Sequence, residues 1–581
     1  MRKHFNVNTK IITYDNKSLK DIEILVSYKD EKYDFELKNN SEIDIRLKEV
    51  YIGSIDLSEC VDFFAEGYSK LSMYGGTPDN PISIGSYSDK LHYKMPQTKG
   101  KFTAYNLFQA NCGSTQLLAA FTSCNAFRGE FRIDKSTAEV VMCLDNCLIK
   151  AGDSLMLEQL FVGEEESAES LYSRFVACVE QNHLKFKTEK APTGWCSWYC
   201  YGPDITISDI RENILAIKEK SIDIEYLLID DGYQKNMGDW LIDSEKLGIS
   251  MKQLCSEIIA YGMKPAIWVA PFIADGESEV FKAHPDWFVK DENGAPLSSA
   301  DVSFGGWRLS PWYMLDITHP EAAEYIRNVF SIMKNDYGCN YFKLDANMWG
   351  ALPYGKRYED CTAIEAYRAG MKIICDVVGE DGFILGCNAP LWPSLGLVHG
   401  MRVSTDIARN WGSIKQVAFE CFRRTYQNDH FWINDPDCII YDNLKLSLFD
   451  PAGSENDTGT YLSNEEKRFH LSAIVASGGI KFLSDKIFNL DKDASIKIHK
   501  LLLLNISNVK FLNSDFTLAT GLSDNKKVLF FFNPYDNGIQ RSVDLKTNKS
   551  FYEVWTEEVI STQKNITVSL QPHSAKIYIV K

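Results

Sequence analysis

The feature that most constrains the fold is an alternation, between residues 194 and 495, of short apolar runs with amphipathic helical patterns. Helical patterns such as 207–219 and 321–336 separate runs that are short enough to be buried strands. Eight runs are predicted as strands, at 195–199, 226–229, 265–269, 341–344, 383–387, 401–403, 431–433 and 473–476. Eight β-α units are typical of a (β/α)8 TIM barrel, so we predict an α/β fold with this barrel at its centre. A doubly wound open sheet is the alternative, but no GxGxxG motif follows a strand to indicate a dinucleotide cofactor.

The distribution of tryptophan marks a domain boundary. None of the twelve tryptophans lies in residues 1–190, eleven lie between Trp195 and Trp432, and the last is Trp555. This change in composition marks a boundary near 185–193, where residues 189–193 have the character of a linker. We therefore predict an N-terminal domain at 1–185 and the barrel domain at 190–497.

The segments on either side of the barrel have the short alternating runs of antiparallel strands. Runs such as 22–28 and 131–134 are rich in Val, Ile, Tyr and Phe, and Asn, Asp and Gly interrupt them. They predict an N-terminal antiparallel β-sandwich, which a helix at 167–182 follows. Similar runs return near the end of the chain, at 528–532, 566–570 and 577–580. They predict a small C-terminal β-sandwich at 500–581.

Length, charge and cysteine usage restrict the class of protein and its partners. A chain of 581 residues is too long for one hydrophobic core, and its net charge of −17 argues against a nucleic-acid partner. The sequence has no run of 18 apolar residues and no signal peptide at its start, so no membrane partner is expected. The fifteen cysteines show neither a CxxC pair nor zinc spacing, which predicts a cytoplasmic protein with no metal and no cofactor.

Charged residues stand where two of the predicted strands end. Lys343 and Asp345 end the apolar run that begins at Tyr341, and Arg402 and Asp406 follow a similar run. Charges are almost never fully buried unless they are paired, so these ends indicate a site rather than packing. In a barrel the catalytic groups lie at the carboxyl ends of the strands. Two carboxylates at such ends are what the cleavage of a glycosidic bond requires.

Other predicted strand ends carry residues that suit a sugar. They supply more acids, a thiol and aromatic rings, namely Trp198, Asp230, Asp231, Trp268, Cys387 and Asp437. Carboxylates and cations hydrogen-bond to hydroxyls, and a flat aromatic wall suits the C–H face of a pyranose. Taken alone, Asp230-Asp231 fits a solvated turn better than a metal site, Asp437 fits a turn, and half of the tryptophans fit a core. Their conjunction predicts a small carbohydrate as the partner.

Together these motifs resemble the α-galactosidases (melibiases) of glycoside hydrolase family 36. The resemblance runs from Gly194 to about Asp437, through GWCSW, LLIDDGYQKNMGDW, MKPAIWVAPF, YFKLD, ILGCNAPLWPSLGLVHGMR and NDPD. It implies that Asp345 is the nucleophile and Asp406 the general acid/base. It also implies substrate-binding roles: O4 and O6 for Asp230 and Asp231, pocket walls for Trp198 and Trp268, ring hydroxyls for Lys343 and Arg402, and the O2 side and floor for Cys387 and Asp437.

The resemblance implies a retaining, exo-acting hydrolase that releases terminal α-galactosyl residues from oligosaccharides by double displacement. Its two carboxyl groups are then expected about 5–5.5 Å apart. Lys343 is expected to keep the Asp345 carboxylate ionised. Asp406 must be protonated at the working pH, which requires a poorly solvated or anionic setting. Relatives in this family often assemble, which leaves a homo-oligomer open.

Departures from the family pattern leave the substrate open. Asn388-Ala389 follows Cys387 where Gly-Ser is expected, Ser404-Thr405 replaces a Gly-Pro-like pair, and Asp231 precedes Gly-Tyr rather than Gly-Trp. The first change adds bulk where a substituent on the sugar's O2 would lie. α-Galactose is therefore the first candidate and α-N-acetylgalactosamine the second. A galactosyl-transferring enzyme and a non-catalytic sugar-binding protein are further alternatives.

Overall fold

The structure is a computed structural model that describes residues 4–13, 21–186, 188, 190–442 and 462–581. Antiparallel strands form its N-terminal part, parallel strands and helices its central part, and a second antiparallel sheet its C-terminal part. The predicted α/β fold with a central barrel between two β-regions is confirmed. Residue 187 of the predicted boundary region and residue 189 of the predicted linker lie outside the described residues. The limits proposed for the three domains stay predictions.

The N-terminal part is one network of thirteen hydrogen-bonded strands, and each of its pairs is antiparallel. The strands are Phe5–Ile12, Ile22–Lys29, Lys32–Asn39, Ile45–Asp56, Asp62–Glu66, Met73–Thr77, Asn80–Ser83, Phe102–Cys112, Thr115–Phe121, Arg128–Asp134, Thr137–Ile149, Ser154–Met156 and Leu160–Glu165. Two helices accompany them, Asp89–His92 and Ala168–Asn182. The second is the helix predicted at 167–182, and Ser167 caps its N-terminus.

The central sheet consists of eight parallel strands. Barrel strands 1 to 8 are Thr193–Cys196, Tyr226–Ile229, Lys264–Val269, Tyr341–Leu344, Phe383–Gly386, Gly400–Arg402, Ile433–Asp435 and Lys481–Leu483. Strand 8 pairs with strand 1, and the Ile480 N–H donates to the Asn434 carbonyl over 2.9 Å, which nearly closes the ring. Gly479 permits this approach, because a Cβ there would lie 1.6 Å from the Asn434 oxygen.

Helices alternate with the barrel strands, and their buried faces follow the helical period. The α-helices are Trp198–Tyr201, Ile207–Glu219, Met251–Ala260, Glu279–Ala283, Ser299–Val302, Pro320–Asn335, Ala363–Val378, Trp411–Arg423, Asn464–Ser477 and Lys492–Leu503. In Ile207–Glu219 the buried Ile210, Ile214 and Ile217 recur every three or four residues. A capping box of Thr206 and Asp209 begins this helix, whose limits equal those predicted. A hairpin, Ile273–Asp275 with Trp312–Met314, lies between strands 3 and 4.

Seven strand predictions hold within a few residues, but the prediction for strand 8 is wrong. Residues 473–476 lie within the helix Asn464–Ser477, and the eighth strand is Lys481–Leu483. This helix is buried from Phe469 to Ser477, so its end lacks the polar face that distinguishes a helix from a buried strand. Strand 1 is also shorter than predicted, because Trp198 already begins a helical turn.

The C-terminal part is a six-stranded antiparallel sheet. Its strands are Ser507–Phe511, Leu518–Ser523, Lys526–Asn533, Ile539–Glu553, Val559–Leu570 and Ser574–Val580. Alternate residues of Lys526–Asn533 enter different cores, as the period of two in a strand requires. Phe530 and Phe532 join the large core of the molecule, whereas Leu529 and Phe531 join a separate core of the C-terminal sheet.

The N-terminal part and the barrel share one continuous core. A fully buried ion pair crosses their junction, where Arg424 Nη2 lies 2.7 Å from Glu66 Oε2. Arg424 also donates to the carbonyls of Lys70 (2.6 Å) and Ser72 (2.9 Å). The segment that contains Lys70 is therefore fixed against the barrel by hydrogen bonds as well as by apolar contacts.

Two further observations concern the environment of the protein. Cys60 and Cys112 form a disulfide bond, and thirteen other cysteines are free. Disulfides are rare in reducing compartments, so this bond is not expected from a cytoplasmic location, which stays a prediction. In the part of the chain that the structure describes, none of the helices is long and apolar enough to cross a membrane.

Candidate active site

The ten predicted site residues lie at one end of the barrel. Strand 1 leads to Trp198, strand 2 to Asp230 and Asp231, strand 3 contains Trp268, strand 4 contains Lys343 and leads to Asp345, strand 5 leads to Cys387, strand 6 ends at Arg402 and leads to Asp406, and strand 7 leads to Asp437. These are the carboxyl ends of the strands, where a barrel places its catalytic groups. Their individual roles are predictions, and the contacts below show how the fold holds each one.

Asp345 is held by neutral donors from three strand ends. Its backbone N–H donates to the Val269 carbonyl (2.8 Å) and continues the sheet one residue past strand 4. Carboxylate Oδ1 accepts from the Ala346 N–H (2.7 Å) and the Asn388 amide (2.9 Å), and Oδ2 accepts from the Trp268 indole (3.2 Å). The side chain is buried, with 7% of its surface exposed. This setting fixes the direction of a carboxylate without placing a cation against it.

The backbone next to Asp345 is strained at two non-glycine residues. Ala346 has φ 53° and Asn388 has φ 40°, both in the left-handed region. Such conformations persist when surrounding contacts impose them and often occur at functional sites. Asn388 was predicted to add bulk on the O2 side of a sugar. Its amide also donates a hydrogen bond to Asp345, the predicted nucleophile, a contact that sequence reasoning missed.

Asp406 has the opposite setting, exposed and next to two cations. Its side chain is 57% exposed, and Oδ1 accepts from Lys70 Nζ (3.2 Å) and Arg402 Nη2 (2.9 Å). Partial desolvation would raise the pKa of Asp406, but the charges of Lys70 and Arg402 outweigh it and hold this pKa well below its usual range. The anionic or poorly solvated setting expected for a resting acid is therefore absent around Asp406 in the described residues.

Arg402 and Asp437 form a buried pair beneath Asp406. Asp437 Oδ2 accepts from Arg402 Nη2, from the Tyr199 hydroxyl and, over 2.8 Å, from the Ile407 N–H. Its Oδ1 accepts from the Cys438 N–H (2.7 Å). With these bonds Asp437 supports Arg402 and the loop after strand 6, which suits the predicted floor of the site.

Lys343 pairs with Asp230 across the barrel mouth. Lys343 Nζ donates to Asp230 Oδ2 over 2.8 Å, so its bonded partner is this carboxylate and not Asp345, the one expected from the sequence. Burial raises the pKa of Asp230, and the Lys343 charge opposes that rise. Burial by itself would lower the pKa of Lys343, but the negative charge of Asp230, together with that of other neighbours including Asp345, raises this pKa. The pair forms a buried anion–cation couple that can donate and accept hydrogen bonds at a sugar.

Asp231 binds a second cation that sequence reasoning missed. Arg308 forms a two-pronged ion pair with both carboxylate oxygens, with an Nε–Oδ2 distance of 2.8 Å. The Trp307 indole donates to Oδ2 (3.1 Å) and the Gln234 amide to Oδ1 (2.7 Å). Each oxygen thus has two donors, and a hydroxyl that binds Asp231 must share or displace one of them.

Trp268, Cys387 and Trp198 differ in how they contribute. Trp268 is buried and donates to Asp345, so besides a wall it is a support for that carboxylate. Burial, helped by the Asp345 charge, raises the pKa of the Cys387 thiol to about 12, and its Sγ lies 3.8 Å from Lys70 Nζ. Trp198 is half-buried at the start of its helix, which leaves part of the ring accessible as a wall requires.

The residues that sequence reasoning missed share a cause. Lys70 and Arg308 are separated by many residues from the aspartates they bind, and no local pattern marks them. Trp307 and Arg308 gave one weak signal, because they lie in an aromatic-rich stretch between strands 3 and 4. Lys70 gave none. Over the described ranges, no group of three or more His, Cys, Asp or Glu side chains could hold a metal ion.

A family model and several curated relatives match parts of this chain. The model described as Melibiase matches residues 165–378. The bifunctional α-galactosidase/sucrose kinase AgaSK of Mediterraneibacter gnavus is 22% identical over 331 residues, which are 52% of this chain and 34% of AgaSK. An α-galactosidase of Escherichia coli is 29% identical over 140 residues, 23% of this chain and 18% of that enzyme. The chain thus spans about a third or less of the length of these curated relatives.

Solved structures match nearly the whole chain. The α-galactosidase TtGalA from Thermus thermophilus superimposes with a TM-score of 0.63 at 18% identity and covers 87% of this chain and 98% of that one. The family 36 α-galactosidase AgaA from Geobacillus stearothermophilus gives 0.62 at 12% identity, with coverage of 99% and 87%. These structures share the fold. Together with the sequence matches they confirm the resemblance and agree with the prediction of a glycoside hydrolase.

Proposed function

We propose that this chain, which resembles the family 36 α-galactosidases along its barrel, is a retaining exo-α-galactosidase that acts on small oligosaccharides. The observation that carries the proposal is the contrast between two carboxylates at one barrel mouth. Asp345 is buried and directed by neutral donors, whereas Asp406 is exposed and, among the described residues, accepts hydrogen bonds at one oxygen only. Double displacement needs these two roles, one carboxylate that attacks and one that transfers protons.

In the proposed first step, an Asp345 oxygen attacks the anomeric carbon of an α-galactoside. The bond from that carbon to the leaving oxygen breaks, and Asp406 gives that oxygen a proton. The Asn388 amide and the Ala346 N–H hold Oδ1, and the Trp268 indole donates to Oδ2 over a longer distance of 3.2 Å. Fixed donors keep the attacking group aimed and lower the cost of orienting it.

In the proposed second step, ionised Asp406 takes a proton from water, and the water oxygen bonds to the anomeric carbon as Asp345 leaves. Two inversions return the α configuration, so the sugar is released with retention. We expect the two carboxyl groups about 5–5.5 Å apart, the separation of retaining enzymes.

The remaining charged groups suit sugar hydroxyls. Asp230 and Lys343 offer a buried acceptor and donor side by side, and Asp231 with Arg308 offers a second such pair. Hydroxyls that both donate and accept are best bound by pairs of this kind. We propose that these groups take the O4 and O6 side of galactose, and that Cys387 faces the O2 side.

Galactose is the proposed sugar rather than N-acetylgalactosamine. The Asn388 side chain, bonded to Asp345, occupies volume next to Cys387 that a family member with glycine would leave open. The acetamido group that replaces the 2-hydroxyl in N-acetylgalactosamine needs such space. A cytoplasmic location, a homo-oligomer and the absence of nucleic-acid and membrane partners are expectations that accompany this proposal.

A panel of nitrophenyl glycosides tests the function. The wild-type chain should hydrolyse the α-galactoside in preference to α-N-acetylgalactosaminide, α-glucoside, β-galactoside and arabinoside, and proton NMR of the first-formed sugar should show the α-anomer. Asp345→Ala should lose measurable turnover and keep its circular dichroism spectrum, because the nucleophile is lost while the fold is not.

The control for this panel is Asp381→Ala, which removes an exposed carboxylate paired with Lys334 on the barrel surface. Such surface pairs contribute little, so this variant should behave like wild type. Full activity of Asp345→Ala, or a β-anomer as first product, would contradict the proposal.

A further inference from the structure

Lys70 is a buried lysine that the N-terminal part contributes to the barrel site. It lies in the connection between strands Asp62–Glu66 and Met73–Thr77, and its side chain is fully buried. A buried lysine is costly unless a specific partner compensates for its desolvation. Lys70 has that partner in Asp406, 336 residues away in the chain.

Lys70 contacts only one of the two carboxylate oxygens of Asp406 in the described structure. Lys70 Nζ lies 3.2 Å from Asp406 Oδ1, and Arg402 Nη2 lies 2.9 Å from the same oxygen. Within the described part of the chain, Oδ2 accepts no hydrogen bond. Two cations therefore hold one oxygen, and the other is left for a proton and a substrate.

The backbone around Lys70 is held by groups other than Asp406. Arg424 donates to the Lys70 and Ser72 carbonyls, and the buried carboxylate of Asp89 accepts from the Tyr68 N–H (2.8 Å) and the Ser69 N–H (3.3 Å). The backbone on either side of Lys70 is thus fixed by buried charged groups. None of these backbone bonds involves Asp406.

Cations dominate the surroundings of Asp406. The ionisable groups that face it from the packed elements are Lys70, Arg402, Lys343, Asp345, Asp437, Cys387, Tyr199 and Tyr93. Of the anions, Asp437 is committed to Arg402 and Asp345 to its neutral donors. The thiol and the two phenols are neutral, because burial raises their pKa values.

We propose that Lys70 is a positioning residue for Asp406, which it holds through Oδ1 so that Oδ2 transfers the proton, and that it favours the ionised form used in the second step. The inference rests on the proposed function. In the first step the proton on Oδ2 passes to the leaving oxygen as the glycosidic bond breaks and the Asp345 ester forms. In the second step Oδ2 takes a proton from water as the water oxygen replaces Asp345.

The two steps have opposite requirements, and Lys70 serves the second. A nearby cation favours the ionised carboxylate, which is the base that activates water. It disfavours the protonated acid that the first step needs. The cost falls on substrates with poor leaving groups, and it grows as the pH rises through the pKa of Asp406.

The test compares pH profiles of kcat/KM for wild type, Lys70→Met and Lys70→Gln on methyl α-galactoside, whose leaving group needs acid assistance. Loss of the cation should raise the pKa of Asp406 and so shift the alkaline limb of the profile to higher pH, by about 1 pH unit or more. Lys70→Arg should keep the wild-type limb. On a nitrophenyl α-galactoside, which needs little acid assistance, kcat of Lys70→Met should fall because the second step slows.

Lys90→Met is the matched control, since it removes an exposed lysine from the same N-terminal region and should leave the limb unchanged. A purely structural role for Lys70 would lower stability and yield without moving the limb. If the wild type is active and both Lys70→Met and Lys70→Gln have the same alkaline limb as the wild type, this inference is overturned and the proposed function is not. A wild type that hydrolyses none of the glycosides overturns the proposed function and this inference with it.

Discussion

Asp345 and Asp406 lie at the same end of the barrel, but neutral hydrogen-bond donors hold the first and cations hold the second. Asp345 is buried and receives one amide, one indole and one backbone N–H. Asp406 is mostly exposed and receives an ammonium and a guanidinium on a single oxygen. Neutral donors fix where a carboxylate points, and cations also fix its charge. The orientation of a carboxylate and its protonation state can therefore be set by different kinds of neighbour within one site.

The sequence motifs around the two aspartates look more alike than their surroundings are. Lys343 precedes Asp345 by two residues and Arg402 precedes Asp406 by four, which suggests a cation for each acid. In the structure Lys343 serves Asp230, while Arg402 serves both Asp406 and Asp437. Spacing along the chain therefore predicted the groups present and not how they are paired.

The largest effect should come from azide added to the two single variants. Asp345→Ala should lose turnover, and Asp406→Ala should lose about 10²–10⁴-fold on a substrate with a poor leaving group. With a nitrophenyl α-galactoside, azide should replace the missing nucleophile in Asp345→Ala and give β-galactosyl azide. In Asp406→Ala it should attack the glycosyl-enzyme from the opposite face and give the α-azide. If NMR identified the same azide anomer from both variants, the two aspartates would not have the different catalytic roles proposed for them.

The next effect concerns Lys343, the cation that donates its hydrogen bond to Asp230 and not to either predicted catalytic acid. Lys343→Met leaves Asp230 buried without its counter-charge, and the free energy of unfolding should fall by about 3–5 kcal/mol at pH 7. The folded-state pKa of Asp230, already raised by burial, rises further above its unfolded value. Stability gained from its protonation is then full below the unfolded pKa of about 4 and is lost as the pH rises through the folded pKa.

Urea unfolding at pH 4 and pH 7 measures this difference, which should be larger at pH 7. Lys246→Met is the control, since it removes an exposed lysine paired with Asp204 and should cost less than about 1 kcal/mol. An equal loss for Lys343→Met at both pH values would show that Asp230 is not the group left uncompensated.

The smallest effect should come from the neutral donors of Asp345. A hydrogen bond to a charged group contributes about 1.5–3 kcal/mol, so Asn388→Ala should lower kcat/KM by about tenfold to a hundredfold. Trp268→Phe removes a longer bond and should lose less. The pH profile should not move in either variant, because no charge is removed. A shifted profile in Asn388→Ala, measured on the nitrophenyl α-galactoside, would show that neutral donors also set protonation.

The fold was predictable where one short segment determines its own structure. Strands 2 and 4 were predicted to the residue, because each is a short, fully buried run, apolar except for Lys343 in strand 4, that an aspartate follows. Strand 8 was not, because the buried end of helix Asn464–Ser477 has the same apolar character as a strand and only tertiary packing separates them.

The site was predictable in its composition and not in its connections. Ten side chains were predicted at strand ends because barrel enzymes place their catalytic groups at the carboxyl ends of the strands. The bond from Lys70 to Asp406 depends on how the N-terminal sheet packs on the barrel, over 336 residues of separation. The turn of Arg308 onto Asp231 depends on the path of a loop. No periodicity in the chain encodes either contact.

The buried pair of Arg424 and Glu66 has a consequence for anyone who divides this chain. It ties the segment that contains Lys70 to the barrel, so the boundary predicted near residues 185–193 would divide the sequence through a single site. A barrel expressed by itself would lack the ammonium at Asp406 and would leave Arg424 without its carboxylate. The smallest unit that can be transplanted, shuffled or inherited with its chemistry intact is therefore the barrel together with its N-terminal sheet.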